Sequence, residues 1–528
     1  SSDLGFLRAR ACRLYAEFKK LTLSNDHLTS VLNQLVTCLG DSEFPVVISA
    51  AISLQPFFNM DESQQIILSH LDHIISQFIM VLQRVAVEGV MQSFDVLVNR
   101  FSSAVMNRSV QIVSVLLQAF KQYTQDEDND TAMFTAMSTL DCVSSVVMNA
   151  CQEPMMYDSV VQIVMPVIMK VFVDKNSDFM DACLLILRTV VHFYDNANTT
   201  RELIWQCFPH LLLIIQKEAI DFISGLFPVL DCYLNIDSSD MLNRSFNGVN
   251  YLQLLLNFVN DVAFDPELTE SEQSYALGVL MNVVHYLYPN LDMLCDVSLD
   301  ITIRFIQAKQ AYITNLEQQS TQDSDDEQMN AYYIENATDC IVRALMVIES
   351  LIIIRRDFTV ERMIQLNCFD RFLELVIQYS EYHYTYLSIR LLLISLLSLL
   401  RLPVYPQSLM NSVIPTFNLI LTVANSAMEE YQKKQNTRDD DNEVDYDELI
   451  ERLHSGTFKE NDWGYDEEQD VGEDGEENLR DMDLKQLEAL SGLEGDCSEI
   501  DEHLINQVTV MNEMVYFQET MRELMTTK

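Results

Sequence analysis

The stretches FLRARACRLYAEF at 6–18 and PVVISAAISLQPF at 45–57 have the same arrangement of residues, 39 positions apart, so that Ala11 recurs as Ala50. Both place apolar residues at helical spacing, and both have small central residues that let a second helix approach closely. Between them, DHLTSVLNQLVTCL at 26–39 predicts another helix. A helix, a short turn and a helix that recur at about 40 residues indicate an α-solenoid of the HEAT or armadillo type.

The composition favours an all-α protein with a strongly acidic surface. Of the 528 residues, 48% are hydrophobic, yet the formal net charge is -46, so much apolar surface has to be buried inside an acidic exterior. The 12 Gly and 11 Pro are too few for the many turns of an all-β protein. Because nucleic acids and anionic membranes repel an acidic protein, the charge disfavours both and favours basic proteins as partners.

Helix pairs are predicted to continue almost without interruption to a last solenoid helix at Pro406–Tyr431. We expect one continuous helix over Val360–Tyr379 and a surface loop at the polar stretch Gln318–Asn330. The apolar runs Ala344–Ile354 and Leu391–Leu400 are too short to cross a bilayer. They predict buried helices, and no membrane crossing is expected.

An acidic segment follows the predicted solenoid. From Arg438 to Glu502 there are 26 Asp and Glu against 5 Lys and Arg, and such a density of like charge predicts a mostly disordered segment. The expected domains are therefore a HEAT-repeat solenoid at 1–432, an acidic insert at 433–500 and a C-terminal helix at 501–528. The insert is predicted to attract basic cargo through eight carboxylates: Asp439, Asp440, Asp441, Glu443, Asp445, Asp466, Glu467 and Glu468.

The sequence contains no pattern that predicts an enzyme. The GxGxxG, GxxxxGK[ST], HExxH and GxSxG motifs are absent from it, so no catalytic residue and no cofactor are predicted. His70 with His73, and Cys207 with His210, stand one helical turn apart, but two ligands are too few for a metal site. The 11 cysteines are scattered without a CxxC pair, which is typical of reduced thiols in the cytosol or nucleus.

Three stretches carry a resemblance to a known family. FLRARAC at 6–12 resembles a repeat of the importin-β (karyopherin-β) nuclear transport receptors, in particular of the importin-seven and importin-eight branch. DSEFPVVISAAISLQ at 41–55 looks like the next repeat of that branch, and IDFISGLFPVLDCY at 220–233 is similar to a later segment. The acidic insert also lies where that branch has one.

The resemblance implies that the chain is roughly the C-terminal half of such a receptor, which fits a sequence that begins at Ser1 without an initiator Met. It implies a superhelical HEAT solenoid that shuttles between cytoplasm and nucleus, contacts nucleoporins and releases cargo when Ran-GTP binds. The main Ran-binding repeats of the family lie N-terminal of Ser1, so no Ran contact is assigned. The Phe-Gly tail that serves a partner importin in this branch is not found before Lys528, which leaves that partnership open.

The residues alone leave other functions open. An α-solenoid scaffold or adaptor has the same composition, but its partners would not respond to Ran. A histone-chaperone-like binder of basic proteins would need only the acidic insert. For a transport receptor, the expected cargo is a basic protein of the histone or ribosomal type, and its identity cannot be derived from the sequence.

Overall fold

The structure is a computed structural model that forms two compact units, Ser1–Phe222 and Ile223–Lys528. It describes residues 4–17, 24–85, 87–125, 130–195, 199–236, 239–318, 324–411, 414–424 and 516–522. Within these residues, α-helices account for nearly all regular structure, and the strands are limited to one two-residue pair. The prediction of an all-α HEAT-repeat fold is confirmed in each unit.

The first unit consists of consecutive helices joined by short turns. Their bounds are α1 (Gly5–Glu17), α2 (Asn25–Cys38), α3 (Phe44–Phe58), α4 (Gln64–Leu82), α5 (Glu88–Arg100), α6 (Ser102–Val105), α7 (Ser109–Tyr123), α8 (Asp130–Cys151), α9 (Pro154–Asp174), α10 (Met180–His192) and α11 (Arg201–Glu218).

The helices of the first unit pack in two layers. One layer contains α1, α3, α5, α8 and α10, and the other contains α2, α4, α7, α9 and α11. Each helix of a layer contacts the next helix of that layer, and most also contact a neighbour along the chain. This is the pairwise stacking of a repeat protein, in which every unit covers the apolar face of the one before. Pro45 stands in the first turn of α3, where its missing N–H costs nothing.

The second unit continues the helical pattern. Its elements are α12 (Ile223–Ile236), α13 (Asp240–Asn243), β1 (Ser245–Phe246), β2 (Val249–Asn250), α14 (Tyr251–Ala263), α15 (Glu270–Leu287), α16 (Met293–Gln318), α17 (Ser324–Gln365), α18 (Phe369–Tyr379), α19 (Tyr386–Leu400), α20 (Gln407–Asn411), α21 (Ile414–Ala424) and α22 (residues 516–522). The helices α12, α15, α17 and α19 contact one another in that order, and α14, α16 and α18 pack against them.

Helix α17 is two helices joined at a break. Arg355 has non-helical backbone angles (φ -141°, ψ 64°), and its side chain turns outward over the rings of Tyr288 and Phe358. The Thr359 hydroxyl lies 2.9 Å from the carbonyl oxygens of both Leu351 and Arg355, so it can share its proton between them. Tyr288 Oη lies 2.7 Å from Thr359 Oγ1 and can donate to it. The carbonyl groups at the break are thus satisfied by side chains.

Two local predictions are wrong. The helix expected over Val360–Tyr379 is interrupted, because Asn367 adopts a left-handed conformation (φ 53°). There the Cys368 N–H donates to the Met363 carbonyl and the Asn367 N–H to the Ile364 carbonyl, which is a Schellman end. The surface loop expected at Gln318–Asn330 is wrong for the residues from Ser324 onward, because α17 begins there.

A β-hairpin that was not predicted from the sequence precedes α14. Ser245 pairs with Asn250 and Phe246 with Val249. Asn247 (φ 52°) and Gly248 (φ 82°) form the turn. An Asn-Gly pair suits this turn because both of its central residues need positive φ.

The most apolar runs are core helices. Leu391–Leu400 and Ala344–Ile354 are almost completely buried in the second unit. Two described helices, Asp61–Leu82 and Pro154–Asp174, are long and apolar enough to span a membrane, and 39% and 50% of their apolar windows are buried inside the structure.

The last described helix packs on the second unit. Tyr516 of α22 has its hydroxyl 3.3 Å from Ser398 Oγ, and the Arg401 guanidinium lies 4.7 Å from the centre of its ring. Both partners belong to α19 or the residue that follows it. The predicted domain boundaries near residues 432 and 500 lie outside the described residues and stay predictions.

Candidate functional site: an acidic tyrosine surface

The carboxylates predicted to attract cargo are not among the residues that the structure describes, which end at 424 and resume at 516. Their role therefore stays a prediction. They are Asp439, Asp440, Asp441, Glu443, Asp445, Asp466, Glu467 and Glu468.

The histidine pairs considered from the sequence do not gather metal ligands. His70 Nε2 lies 3.1 Å from Asn33 Oδ1, and Asp72 is paired with Arg108 at 2.8 Å. Cys207 is fully buried in the apolar core of the first unit, and burial raises the pKa of its thiol. In the described parts of the chain, no three His, Cys, Asp or Glu side chains are placed to hold a metal ion.

A distinctive surface of the second unit begins on the first turns of α17. Tyr332, Glu335 and Asp339 are all exposed. Glu335 lies three positions after Tyr332, and Asp339 lies four positions after Glu335, which places the three side chains on one face of the helix. Ala337 and Ile341 are fully buried, so the opposite face of the same turns packs into the core. The helix therefore presents a tyrosine and two carboxylates together to solvent.

The connection between α18 and α19 adds further side chains of the same kind. Glu381, Tyr382 and Tyr384 are exposed, whereas His383 between the tyrosines is buried. His383 has non-helical backbone angles (φ -85°, ψ 88°), so its side chain points away from those of its two neighbours. Its Nδ1 lies 3.2 Å from the carbonyl oxygen of Tyr379. One inward-facing histidine thus accompanies two outward-facing tyrosines.

His383 also ties this connection to α17. Its Nε2 lies 3.4 Å from Oε1 of Glu349, and the Glu349 side chain is 0% exposed. Against the Tyr379 carbonyl oxygen, Nδ1 can act only as a donor and therefore carries a proton. The pair brings the tyrosine-bearing connection into contact with the helix that carries Glu335 and Asp339.

Tyr384 stands at the end of the second group of side chains. Desolvation is the first cause that raises the pKa of this phenol, and the other causes are the nearby Tyr382, Asp339, Glu335 and Glu381. The ring of Tyr384 lies 6.1 Å from that of Tyr382 in an edge-to-face arrangement, which is favourable for two aromatic rings. We name the combined patch the acidic tyrosine surface; it consists of Tyr332, Glu335, Asp339, Glu381, Tyr382 and Tyr384.

A lysine of the protein itself shows how such groups hold a cation. Lys309 Nζ lies 3.5 Å from Oε1 of Glu270 and 5.8 Å from the centre of the Tyr312 ring. Burial first, and then Glu270 and Tyr333, raises the pKa of Tyr312. The ring of Tyr333 lies 5.8 Å from that of Tyr332. This internal carboxylate–lysine–tyrosine group therefore borders the acidic tyrosine surface.

The chemistry of this surface is recognition of cations. Carboxylates accept hydrogen bonds from ammonium and guanidinium groups, and tyrosine faces attract the same cations through their ring quadrupole. The six side chains include neither a basic residue nor an activated nucleophile.

This surface was not predicted from the sequence. The signal on α17 is the spacing of Tyr332, Glu335 and Asp339, and the signal in the connection is the alternation of Tyr382 and Tyr384 around His383. Neither pattern is unusual alone. Their proximity depends on the packing of α17 against α18 and α19, which pattern analysis does not supply.

Comparison with known proteins identifies relatives by sequence. The chain is 21% identical over 269 residues to the probable importin-7 homolog of Dictyostelium discoideum, which covers 50% of this chain and 25% of that protein. It is 20% identical over 292 residues to importin-8 of Mus musculus, covering 54% of this chain and 28% of that protein. The chain thus spans about a quarter of the length of these relatives. No family model matches it.

Two solved structures resemble this chain at low sequence identity. The crystal structure of importin beta in an ammonium sulfate condition has a TM-score of 0.46 and 12% identity, and the match covers 79% of this chain and 56% of that one. Importin beta in a polyethylene glycol condition gives a TM-score of 0.43 at the same identity.

Proposed function

We propose that this chain, which belongs to the importin-β superfamily, is part of a nuclear import receptor that carries protein cargo through the nuclear pore and releases it to Ran-GTP. Its cargo would be a basic protein of the histone or ribosomal type. Nucleoporins would be its partners during passage, and it would shuttle between cytoplasm and nucleus.

The observation that carries this proposal is the sequence match to importin-7 and importin-8 relatives over about half of the chain. Two features support it independently. The stacked helix pairs of each unit provide the long surfaces with which repeat proteins bind partners. The net charge of -46 favours a basic partner by electrostatic attraction.

The test is a cargo-release experiment on the full-length receptor that contains this chain. The receptor is immobilised, loaded with core histones as a basic probe, and washed with Ran bound to GTP or, as a control, to GDP. We expect histones to be released by Ran-GTP and retained with Ran-GDP. Retention in both cases would contradict a transport function and favour the scaffold class, in which binding does not depend on Ran.

The same experiment distinguishes a transport receptor from the second alternative, a histone-chaperone-like binder. A histone-chaperone-like binder would need only residues 433–500 and would bind histones without the helices. The comparison can be made in the intact chain by converting the eight predicted carboxylates to amides. If histone binding vanishes entirely and Ran has no effect on the parent protein, the chaperone class is favoured over the transport receptor.

A further inference from the structure

We infer that the exposed side of α21 is covered by another part of this same chain, the segment HLINQVTVMNEMV at 503–515 that leads into α22. The segment binds there as a helix continuous with α22 and holds that helix on the second unit. The inference goes beyond the proposed function and does not depend on it, because both partners belong to one chain and neither cargo nor a GTPase takes part.

Helix α21 has apolar side chains on two opposite sides. Ile420 and Val423 are buried against the second unit. On the other side Ile414, Phe417 and Leu421 are 71%, 39% and 42% exposed, and their spacing of three and four positions places them on one face. We name these three residues the α21 stripe. A helix that is apolar on both sides is normally covered on both.

The sequence around the stripe is free of charge. Residues 402–428 contain no charged side chain, although 21% of the whole chain is charged. Two further apolar side chains before α21, Val404 and Met410, are 81% and 58% exposed. Apolar side chains that are exposed together, in contrast to single ones, mark a surface that contacts another apolar partner. The occupant of this side is therefore expected to be apolar and nearly uncharged.

The 503–515 segment has the composition that the stripe requires. It contains one carboxylate, Glu513, whereas the preceding residues 438–502 contain 26. Four of its apolar residues recur at intervals of four, three and four positions: Leu504, Val508, Met511 and Val515. Such spacing gives a helix an apolar side that can pack on the α21 stripe. The acidic residues could not cover the stripe without removing carboxylates from water.

The position of α22 brings the segment to the right place. Tyr516, the first described residue of α22, has its hydroxyl 3.3 Å from Ser398 Oγ and its ring centre 4.7 Å from the Arg401 guanidinium. Arg401 directly follows α19, and α20 begins six residues later at Gln407. The chain therefore enters α22 beside the connection that leads to α20 and α21. Residues 425–502 are long enough to return from α21 to this point, and loop closure becomes only slightly more costly with length.

Helix α22 also needs more contact than it makes. It has seven described residues, 516–522, and helices shorter than about 12 residues are marginal alone. Buried Thr520 lies one turn after Tyr516, so these two residues share the side that packs on the unit. Successive helical residues differ by about 100° in direction, so Val515 projects from the adjacent side. A helix over 503–522 can thus contact α19 with one side and α21 with the next.

A segment of the same chain fits the small size of the stripe better than a second copy does. A stable dimer buries about 800 Å² on each partner, and three half-exposed side chains provide only a small part of that area. A tethered segment needs less contact, because its effective concentration near the stripe is high without any partner in solution.

The experiment is hydrogen–deuterium exchange of the complete 528-residue chain, read by mass spectrometry at two protein concentrations. We expect the amides of 503–515 to be protected equally at both concentrations, since the contact is within one chain. Sedimentation velocity of the same samples reports whether copies associate.

Substitutions on either partner should remove this protection. The pair Ile414→Ser and Phe417→Ser should speed exchange of 503–515 by about tenfold or more, the effect expected when one or two aliphatic contacts are lost. The pair Val508→Ser and Met511→Ser should do the same from the other side. Exchange of the α19 amides should stay as in the parent, which shows that the second unit is still folded.

Matched controls lie in the first unit. Phe134 and Met155 are 60% and 90% exposed, and the pair Phe134→Ser and Met155→Ser should leave exchange of 503–515 unchanged. A photo-reactive phenylalanine analogue at position 417 should cross-link to 503–515 of the same chain. The same analogue at position 134 should not.

Three results would each overturn the inference. Exchange of 503–515 in the parent as fast as in an unfolded peptide would show that the segment covers nothing. Protection that survives the substitutions on α21 would place the segment on another surface. Protection that rises with protein concentration, together with a dimer in sedimentation, would assign the stripe to a second copy. None of these results bears on cargo release by Ran-GTP, so the proposed function is tested separately.

Discussion

Glu349 and His383 place two ionisable groups in the interior of the second unit. Their side chains are 0% and 1% exposed, and only one close contact joins them. Removing a carboxylate from water costs several kcal/mol, and a partner offsets that cost only while both groups are present. The pair is therefore expected to matter less for net stability than for holding the connection after α18 in one position.

The first prediction is that His383→Leu destabilises the second unit by about 3–5 kcal/mol, because Glu349 loses its partner in a dry environment. The double variant His383→Leu with Glu349→Leu should recover most of that loss, since two apolar side chains need no partner. Urea unfolding of the three proteins, followed by circular dichroism, measures both effects. A single variant as stable as the parent would show that Glu349 does not depend on His383.

Arg8 and Asp41 form a second instructive pair. Arg8 Nε and Nη2 lie 2.7 Å and 2.8 Å from the two oxygens of Asp41, so the contact is bidentate and joins α1 to the turn before α3. This guanidinium, helped by the Glu43 N–H, holds the pKa of the Asp41 carboxyl below its usual value. A carboxyl with a lowered pKa in the folded state stabilises the fold above its unfolded pKa, and the contribution disappears as the pH falls through the folded value.

The second prediction follows from the lowered pKa of the Asp41 carboxyl. Asp41→Asn should speed hydrogen exchange of the α1 amides at neutral pH, where the parent carboxylate is charged and paired. As the pH falls below about 4, the usual range of an aspartate, the parent should lose its advantage and the two proteins should converge once exchange rates are corrected for pH. A difference that stays constant down to acidic pH would show that the ion pair is not its cause.

Helix α17 shows at the level of one element how a break is stabilised. The hydroxyl of Thr359 contacts two carbonyl oxygens at the break and the hydroxyl of Tyr288, and Thr359 is 0% exposed. Each buried polar group left without a partner costs about 1–3 kcal/mol. One side chain therefore compensates for the helical hydrogen bonds that are disturbed near Arg355.

The third prediction is that Thr359→Val destabilises the second unit by about 1–3 kcal/mol, because the buried Tyr288 hydroxyl and the carbonyl groups at the break lose their partner. Hydrogen exchange should show the largest loss of protection near residues 351–359. Thr338→Val is the matched control, since the buried Thr338 hydroxyl donates only to the carbonyl four residues earlier in the same helix. Equal effects of both substitutions would mean that the loss comes from the helix and not from the break.

The elements also show what a sequence pattern can and cannot predict. The alternation of helices is encoded locally, so apolar spacing at 45–57 predicts α3 to within a residue at each end. The break at Arg355 and the helix end at Asn367 depend on side chains that are distant in sequence or on a left-handed residue, and apolar spacing does not reveal them. The hairpin at Asn247–Gly248 is encoded locally, and its signal was missed.

The same distinction between local signals and long-range packing applies to the candidate site. That Tyr332, Glu335 and Asp339 share a helix face is readable from their spacing. That Tyr384 lies beside them is not, because the two segments are about 50 residues apart and are joined by helix packing. High charge density points to an acidic recognition site at 433–500, whereas the less dense surface of the second unit gives no such signal.

At the scale of the whole molecule, the acidity should act on the rate of encounter. The fourth prediction is that changing the eight carboxylates between Asp439 and Glu468 to amides lowers the association rate constant for a basic protein such as a histone, with a smaller effect on the dissociation rate. Long-range attraction accelerates encounter and is screened by salt within about 10 Å at 0.1 M. Stopped-flow mixing at several salt concentrations measures both rate constants.

An association rate at low salt that is unchanged by the amides would remove these residues from the recognition step. Amides at Glu153 and Glu267, which are exposed acidic residues of the described part of the chain, serve as the control. They change the net charge less and leave the acidic segment intact, so they should alter the rate only slightly.

The contacts that join neighbouring helices have a consequence for how the chain folds. The Arg8–Asp41 pair spans 33 positions and the Tyr288–Thr359 contact spans 71, whereas the Tyr516–Ser398 contact spans 118. Closing a longer loop costs more chain entropy, and low contact order is associated with rapid folding. The helix pairs should therefore assemble early from short-range encounters, and the docking of α22 on α19 should come last during refolding and be the first to be lost under force.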